Sequence, residues 1–213
     1  MTKSANCSKN NMKTNYEFLC VDFQKDFACA DGKNFNKGNG ARFIQDTLYP
    51  YLVANGIRVA EIVSDYRLPR GKSKNESCIP GTDGYESLLP NKLRKGKPWV
   101  KCMHNPLWTR DNIGVTNAPL GDVRQDPQAF NEWLAEHIQH KKVVLFGLTA
   151  DCCVLQVASE LYFRGFEVYV IYEATDPMNE RLDCKDGVMY HSSLNIYATT
   201  IHFDEFTKEL GGN

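Results

Sequence analysis

The sequence predicts an α/β protein built on a doubly wound, mostly parallel six-stranded sheet with helices on both faces. Two observations carry this expectation: six short apolar runs of strand length recur along the 213 residues, and segments with helical spacing lie between them. Length is the third, since a chain of this size suits one sizeable α/β domain that buries its own core.

The apolar runs occupy 18–21, 57–63, 99–100, 143–146, 168–172 and 200–203. Runs without polar alternation mark strands covered on both sides, as parallel sheets are. Helical spacing appears over 41–53, 127–138, 154–163 and 186–197. Residues 1–15 are polar and aperiodic and read as a disordered or loosely attached arm, leaving 16–213 as the domain. The stretch 67–97 is rich in Gly, Pro, Ser and Lys and reads as a long functional loop with room for one short helix.

Composition narrows the function. Lys and Arg total 25 against 26 Asp and Glu, with no polybasic tail, so neither nucleic acid nor an anionic membrane surface is indicated. A small molecule is the expected partner. No apolar stretch approaches the ~20 residues of a spanning helix, and the opening Met1-Thr2-Lys3-Ser4-Ala5-Asn6-Cys7 has no apolar signal core, so a cytoplasmic location is expected. None of the eight cysteines forms a CxxC pair and the five histidines are scattered, which reads as reduced thiols without a zinc cluster.

In a doubly wound sheet ligands bind beyond the carboxyl ends of the strands. That rule gathers Asp22 after the first strand, Asp65 after the second, Lys101 at the end of the third, and Asp151-Cys152-Cys153 after the fourth. The run Val143-Val144-Leu145-Phe146-Gly147-Leu148-Thr149-Ala150-Asp151-Cys152-Cys153-Val154 reads as buried strand, tight turn and helix start. Unpaired amides and the positive end of the macrodipole favour a thiolate there, making Cys152 or Cys153 a candidate nucleophile. Such a nucleophile needs a group to take its proton and a group to steady charge, and Asp22 and Lys101 are the available pair. Singly, Asp22 also reads as a turn cap, Lys101 as a solvated charge, and each cysteine as a small buried hydrophobe.

Three ordered motifs, Val21-Asp22-Phe23-Gln24-Lys25-Asp26-Phe27, Trp99-Val100-Lys101 and Gly147 to Val154, resemble the isochorismatase-like cysteine hydrolases. That superfamily includes nicotinamidases, N-carbamoylsarcosine amidases and isochorismatases, and the resemblance spans 16–206. It implies the isochorismatase-like hydrolase fold, a catalytic triad of Asp22, Lys101 and Cys153, a cis peptide at Leu148-Thr149, and an oxyanion hole from the amides of Thr149 and Cys153. It also implies a homo-oligomer, dimer or tetramer, and no organic cofactor. Cys152 falls on a position that varies in the family.

One departure bears on the chemistry. Nicotinamidases place an Asp and histidines after the second strand to bind a metal; here Asp65 is present, but Arg67 and Ser77 stand where histidines are expected. An Asp without imidazoles is a poor zinc or iron site, so no metal is expected. The reading is a metal-independent cysteine amidohydrolase that cleaves a C–N bond of a small carboxamide or carbamoyl (ureido) compound through a thioester. The alternatives are a nicotinamidase or pyrazinamidase type of amidase, and a non-catalytic binding or scaffold protein on the same fold. Substrate-binding candidates at the rim are Phe27, Tyr66, Arg67, His104, Trp108 and Arg110, with Arg70 a further candidate for a carboxylate clamp. Core packing for the aromatics and surface solubility for the arginines compete with that role.

Overall fold

A computed structural model describes residues 15–211. All but one residue of the arm expected over 1–15 lies outside them. Six strands form one wholly parallel sheet: β1 (Tyr16–Val21), β2 (Val59–Ser64), β3 (Trp99–Lys101), β6 (Lys142–Leu148), β7 (Glu167–Asp176) and β8 (Thr199–Ile201), in the spatial order β3-β2-β1-β6-β7-β8. A separate antiparallel pair, β4 (Trp108–Thr109) and β5 (Arg124–Gln125), was not foreseen. All six predicted strands form, within a few residues of their expected limits.

The sheet is covered on both faces because alternate residues of each strand point opposite ways. Leu19, Val21, Val143 and Leu145 pack under helices α4 (Pro127–His137), α5 (Leu155–Phe163), α6 (Lys185–His191) and α7 (Leu194–Tyr197). Phe18, Cys20, Val144 and Phe146 pack instead under α2 (Gly40–Phe43), its continuation through a π-helical turn into α3 (Tyr49–Ala54), and α8 (Phe203–Gly211). Each such side chain contributes ~1.5–3 kcal/mol on burial, so both apolar layers hold the strand ends in fixed register.

The helix expected over 186–197 is interrupted. Ser192 Oγ donates to the Val188 carbonyl at 2.6 Å and accepts from the Leu194 amide at 3.1 Å, so the serine offers the backbone partners that compete with a continuing helix. The 67–97 loop contains one 3-10 turn, Asp83–Tyr85, and is drawn onto the domain by Asp26 of the short helix α1 (Lys25–Ala28), whose carboxylate accepts the Cys78 amide at 2.6 Å.

Gly147 shapes the end of β6. Its φ is 124°, and a Cβ there would lie 2.0 Å from the Val21 carbonyl oxygen, so only glycine lets β1 and β6 approach this closely. The pairing of β6 with β7 shifts register at this point, between Leu145 and Gly147. The following Leu148–Thr149 peptide is cis, as the resemblance implies.

Candidate active site

Three strand ends deliver one buried cluster. Asp22 follows β1 in a left-handed conformation (φ 50°) that Asp tolerates better than most residues, with its amide donating to the Ile62 carbonyl at 2.9 Å. Lys101 ends β3. Cys153 sits in the π-helical turn Ala150–Val154 that leads from β6 into α5. Asp22 and Lys101 are essentially sealed from solvent, at 1% and 0% exposure, and Cys153 keeps 6%.

Lys101 Nζ has four acceptors: Asp22 Oδ2 at 2.7 Å, Tyr66 OH at 2.7 Å, Ser64 Oγ at 2.8 Å and Cys153 Sγ at 3.5 Å. An ammonium has three protons, so the longest contact, to sulfur, is the one most readily exchanged. Ser64 Oγ in turn donates to Asp22 Oδ1 at 2.8 Å, and Tyr66 OH lies 3.3 Å from Cys153 Sγ. No hydrogen bond joins Asp22 directly to Cys153 among the described residues; Lys101 stands between them. Burial, the largest single influence, acts to lower the Lys101 ammonium, but the charges of Asp22 and Cys153 and their hydrogen bonds together outweigh it and the net shift is upward. Burial, then the nearby Cys153 and Asp22, push the Tyr66 phenol up, so it stays protonated.

The two neighbouring thiols are driven apart. Cys152 is held down at about 5, first by the hydrogen bond from Cys153 and then by His104, whose Nδ1 lies 2.8 Å from its sulfur. Cys153 is pushed up by that same hydrogen bond, by burial and by Asp22. Position alone made either thiol a thiolate candidate; the surroundings favour the charged form at Cys152, beside His104, and disfavour it at Cys153, which lies beside a proton-accepting network.

These groups open into a cleft of about 410 Å³, lined in part by Phe27, Tyr66, Arg70, His104, Thr149 and Cys153. The structure thus places Phe27, Tyr66 and His104 where the sequence reading puts them, with the Phe27 and Tyr66 rings edge to face at 6.2 Å. Three other candidates stand elsewhere. Arg67 is bound into the Asp65 carboxylate, Nε to Oδ1 at 2.9 Å and Nη2 to Oδ2 at 2.6 Å, and does not line the cleft. Arg110 is 2% exposed and donates to the Arg67 carbonyl, behind the rim. Trp108 pairs in the small β4–β5 sheet and lines a neighbouring groove.

Sequence reasoning missed the supporting polar residues. Gln24 is buried and bridges the two strand ends, accepting from the Ser64 amide at 2.7 Å and donating to the Ser64 and Tyr85 carbonyls. Ser64 joins both halves of the Asp22–Lys101 pair. Its signal was available: a hydroxyl that follows the apolar Ile62-Val63 and stands directly before Asp65.

The Asp65 carboxylate also accepts the Gly114 amide at 2.8 Å. With Arg67 across both its oxygens and a serine at position 77, this donor set does not fit the metal of the nicotinamidases.

A family model for the isochorismatase domain matches residues 124–186. Among solved structures, nicotinamidase from Bacillus subtilis aligns over 89% of this chain and 100% of its own, with a TM-score of 0.60 and 22% identity. An isochorismatase-like hydrolase from Alkaliphilus metalliredigens covers 93% and 99% at a TM-score of 0.61 and 16% identity. N-carbamoylsarcosine amidase from Thermoplasma acidophilum covers 89% and 96% at a TM-score of 0.56 and 15% identity. The search among curated protein sequences gives no match. These findings bear out the resemblance to the isochorismatase-like hydrolases and the fold it implies.

Proposed function

We propose that this chain is a cysteine amidohydrolase acting on a small carboxamide or carbamoyl compound without a metal. The observation that carries the reading is the buried Asp22–Lys101–Cys153 cluster opening into a small cleft, since a purely structural ion pair needs no thiol at the cleft wall.

As Cys153 Sγ attacks the carbonyl carbon, its proton passes to Lys101 Nζ while Lys101 gives one to Asp22 Oδ2, so that the carboxylate is the net acceptor. The amides of Thr149 and Cys153 receive the developing oxyanion, and Tyr66 OH, in reach of the sulfur, supports the charge there. Collapse breaks the C–N bond, and the proton stored on Asp22 leaves with the amine or ammonia. Water, deprotonated by Asp22, then hydrolyses the thioester and returns the thiol. Because Cys153 rests protonated, the base is needed at the moment of attack.

A planar aromatic carboxamide of the nicotinamide type is the second reading, favoured by the edge-to-face Phe27 and Tyr66 rings in the cleft wall.

The test is ammonia release from a panel of nicotinamide, N-carbamoyl amino acids, ureidoacrylate-like compounds and biuret, with Cys153→Ala as control. Cysteine-dependent release is the expected result. Full activity of Cys153→Ala on every amide that the unmodified chain hydrolyses would falsify the mechanism, and silence across the panel would favour a non-catalytic binding role.

A further inference from the structure

Of the three arginines that the sequence offers for anion recognition, the structure singles out one. Arg67 is neutralised by Asp65, and Arg110 lies away from the cleft. Arg70 lines the cleft, is only 8% exposed, and has no carboxylate within ion-pair distance among the described residues. Its Nη2 donates to Ser73 Oγ at 2.8 Å and to the Asn75 carbonyl at 3.1 Å, while among the described residues the buried Nε has no partner and Nη1 makes no hydrogen bond. The guanidinium lies over the Tyr66 ring, its Cζ 4.0 Å from the ring centroid. A buried cation with its geometry fixed and its donors unspent is costly unless a ligand completes it.

Its position gives that ligand a meaning. The Tyr66 ring that Arg70 covers carries the hydroxyl that touches Lys101 and Cys153, and Arg70 and Cys153 line one cleft, so an anion on Arg70 shares that cleft with the attacking sulfur. The exposed Lys33 lines the same cleft and adds to its positive side, against the Glu180 carboxylate and the acidic Cys152 thiol. We propose that Arg70 binds a carboxylate on the substrate, so that the class cleaved is a small amide or ureido acid rather than a neutral amide. This inference rests on the amidohydrolase reading for its chemistry but not for its test.

The test is calorimetric binding to the Cys153→Ala chain, which turns nothing over, of acetate, propionate, benzoate and N-carbamoylglycine, each against its methyl ester. At least one acid is expected to bind about tenfold or more tightly than its ester, as a charge-assisted pair requires. Adding Arg70→Gln should erase that preference and leave the ester affinity unchanged, which shows that the cleft is still formed; Arg70→Lys should restore part of it. No preference for any acid, or a preference that survives Arg70→Gln, overturns the proposal. An acid preference without ammonia release by the unmodified chain leaves the subsite standing and sinks the amidase reading; ammonia release without acid preference does the reverse.

Discussion

At the ends of the neighbouring strands β1 and β2, two buried carboxylates meet two different cations. Asp65 meets Arg67, whose planar fork covers both oxygens at 2.6 and 2.9 Å while the Gly114 amide takes what remains. Asp22 meets Lys101, a compact ammonium that serves four acceptors with three protons and reaches Cys153 at 3.5 Å. The first pair is saturated and has nothing to exchange. The second carries a movable proton. Burial and an ion pair are common to both, so neither marks a reactive site; Arg67 also meets four acceptors, counting the Val115 and Asn112 carbonyls, but has five N–H groups for them, whereas at Lys101 the acceptors outnumber the protons.

The largest effect should come from the open pair. Lys101→Met leaves Asp22 buried and uncompensated, so hydrolysis should fall by a factor of about 1,000 or more and stability by ~3–5 kcal/mol, read by steady-state kinetics and urea unfolding. If the loss of activity were no greater than that from an equally destabilising core substitution, the distinction between the pairs would collapse.

At the closed pair, Arg67→Met should cost a comparable ~3–5 kcal/mol in urea while leaving the alkylation rate of Cys153 in the folded chain unchanged. Adding Asp65→Asn should recover part of the stability, because the stranded charge is gone. Tyr66→Phe removes one hydroxyl from the open cluster and keeps the ring under Arg70. A fall of about tenfold to a hundredfold in kcat, with unfolding within ~1 kcal/mol of the parent, is expected; unchanged kcat would take Tyr66 out of the network.

The smallest effect sharpens the comparison at the thiols. Iodoacetamide at pH 6, with peptide mapping, should label Cys152 ahead of Cys153, and the Cys152 rate should decline only as pH falls through about 5. His104→Ala should move that inflection upward, towards the ordinary thiol value of 9.0. Cys152 is an acid with a depressed folded pKa, so its contribution to stability is complete above pH 9.0 and lost as pH falls through about 5. Faster labelling of Cys153 than of Cys152 at pH 6 would reverse this assignment.

The sheet was legible because its strands are mostly apolar runs with only isolated polar residues such as Glu61, and Asp22, Lys101 and Cys153 were legible because each stands at or just past such a run. Helix α8 was missed because only its start, after 200–203, bordered a recognisable signal, and the 186–197 pattern hid the break that Ser192 makes with its hydroxyl. Arginine roles were unreadable from composition: what separates Arg70 from Arg67 is which carboxylate lies nearby in space. For Arg67 that carboxylate was two residues away in the chain, a signal that the sequence did contain. For Arg70 the answer depends on how the 67–97 loop is pinned, through Asp26 to the Cys78 amide, and no local pattern encodes that contact.

Gly147 sits with its α-carbon hard against the carbonyl that precedes Asp22, on the strand that carries the cysteines onward. The spacing between proton acceptor and nucleophile is therefore a main-chain dimension, set by a missing methyl group rather than by any side chain of the cleft. Arg70, Ser73 and Asn75 of the cleft wall come instead from the 67–97 loop, so the geometry of the chemistry and part of the shape of the pocket are carried by different stretches of the chain.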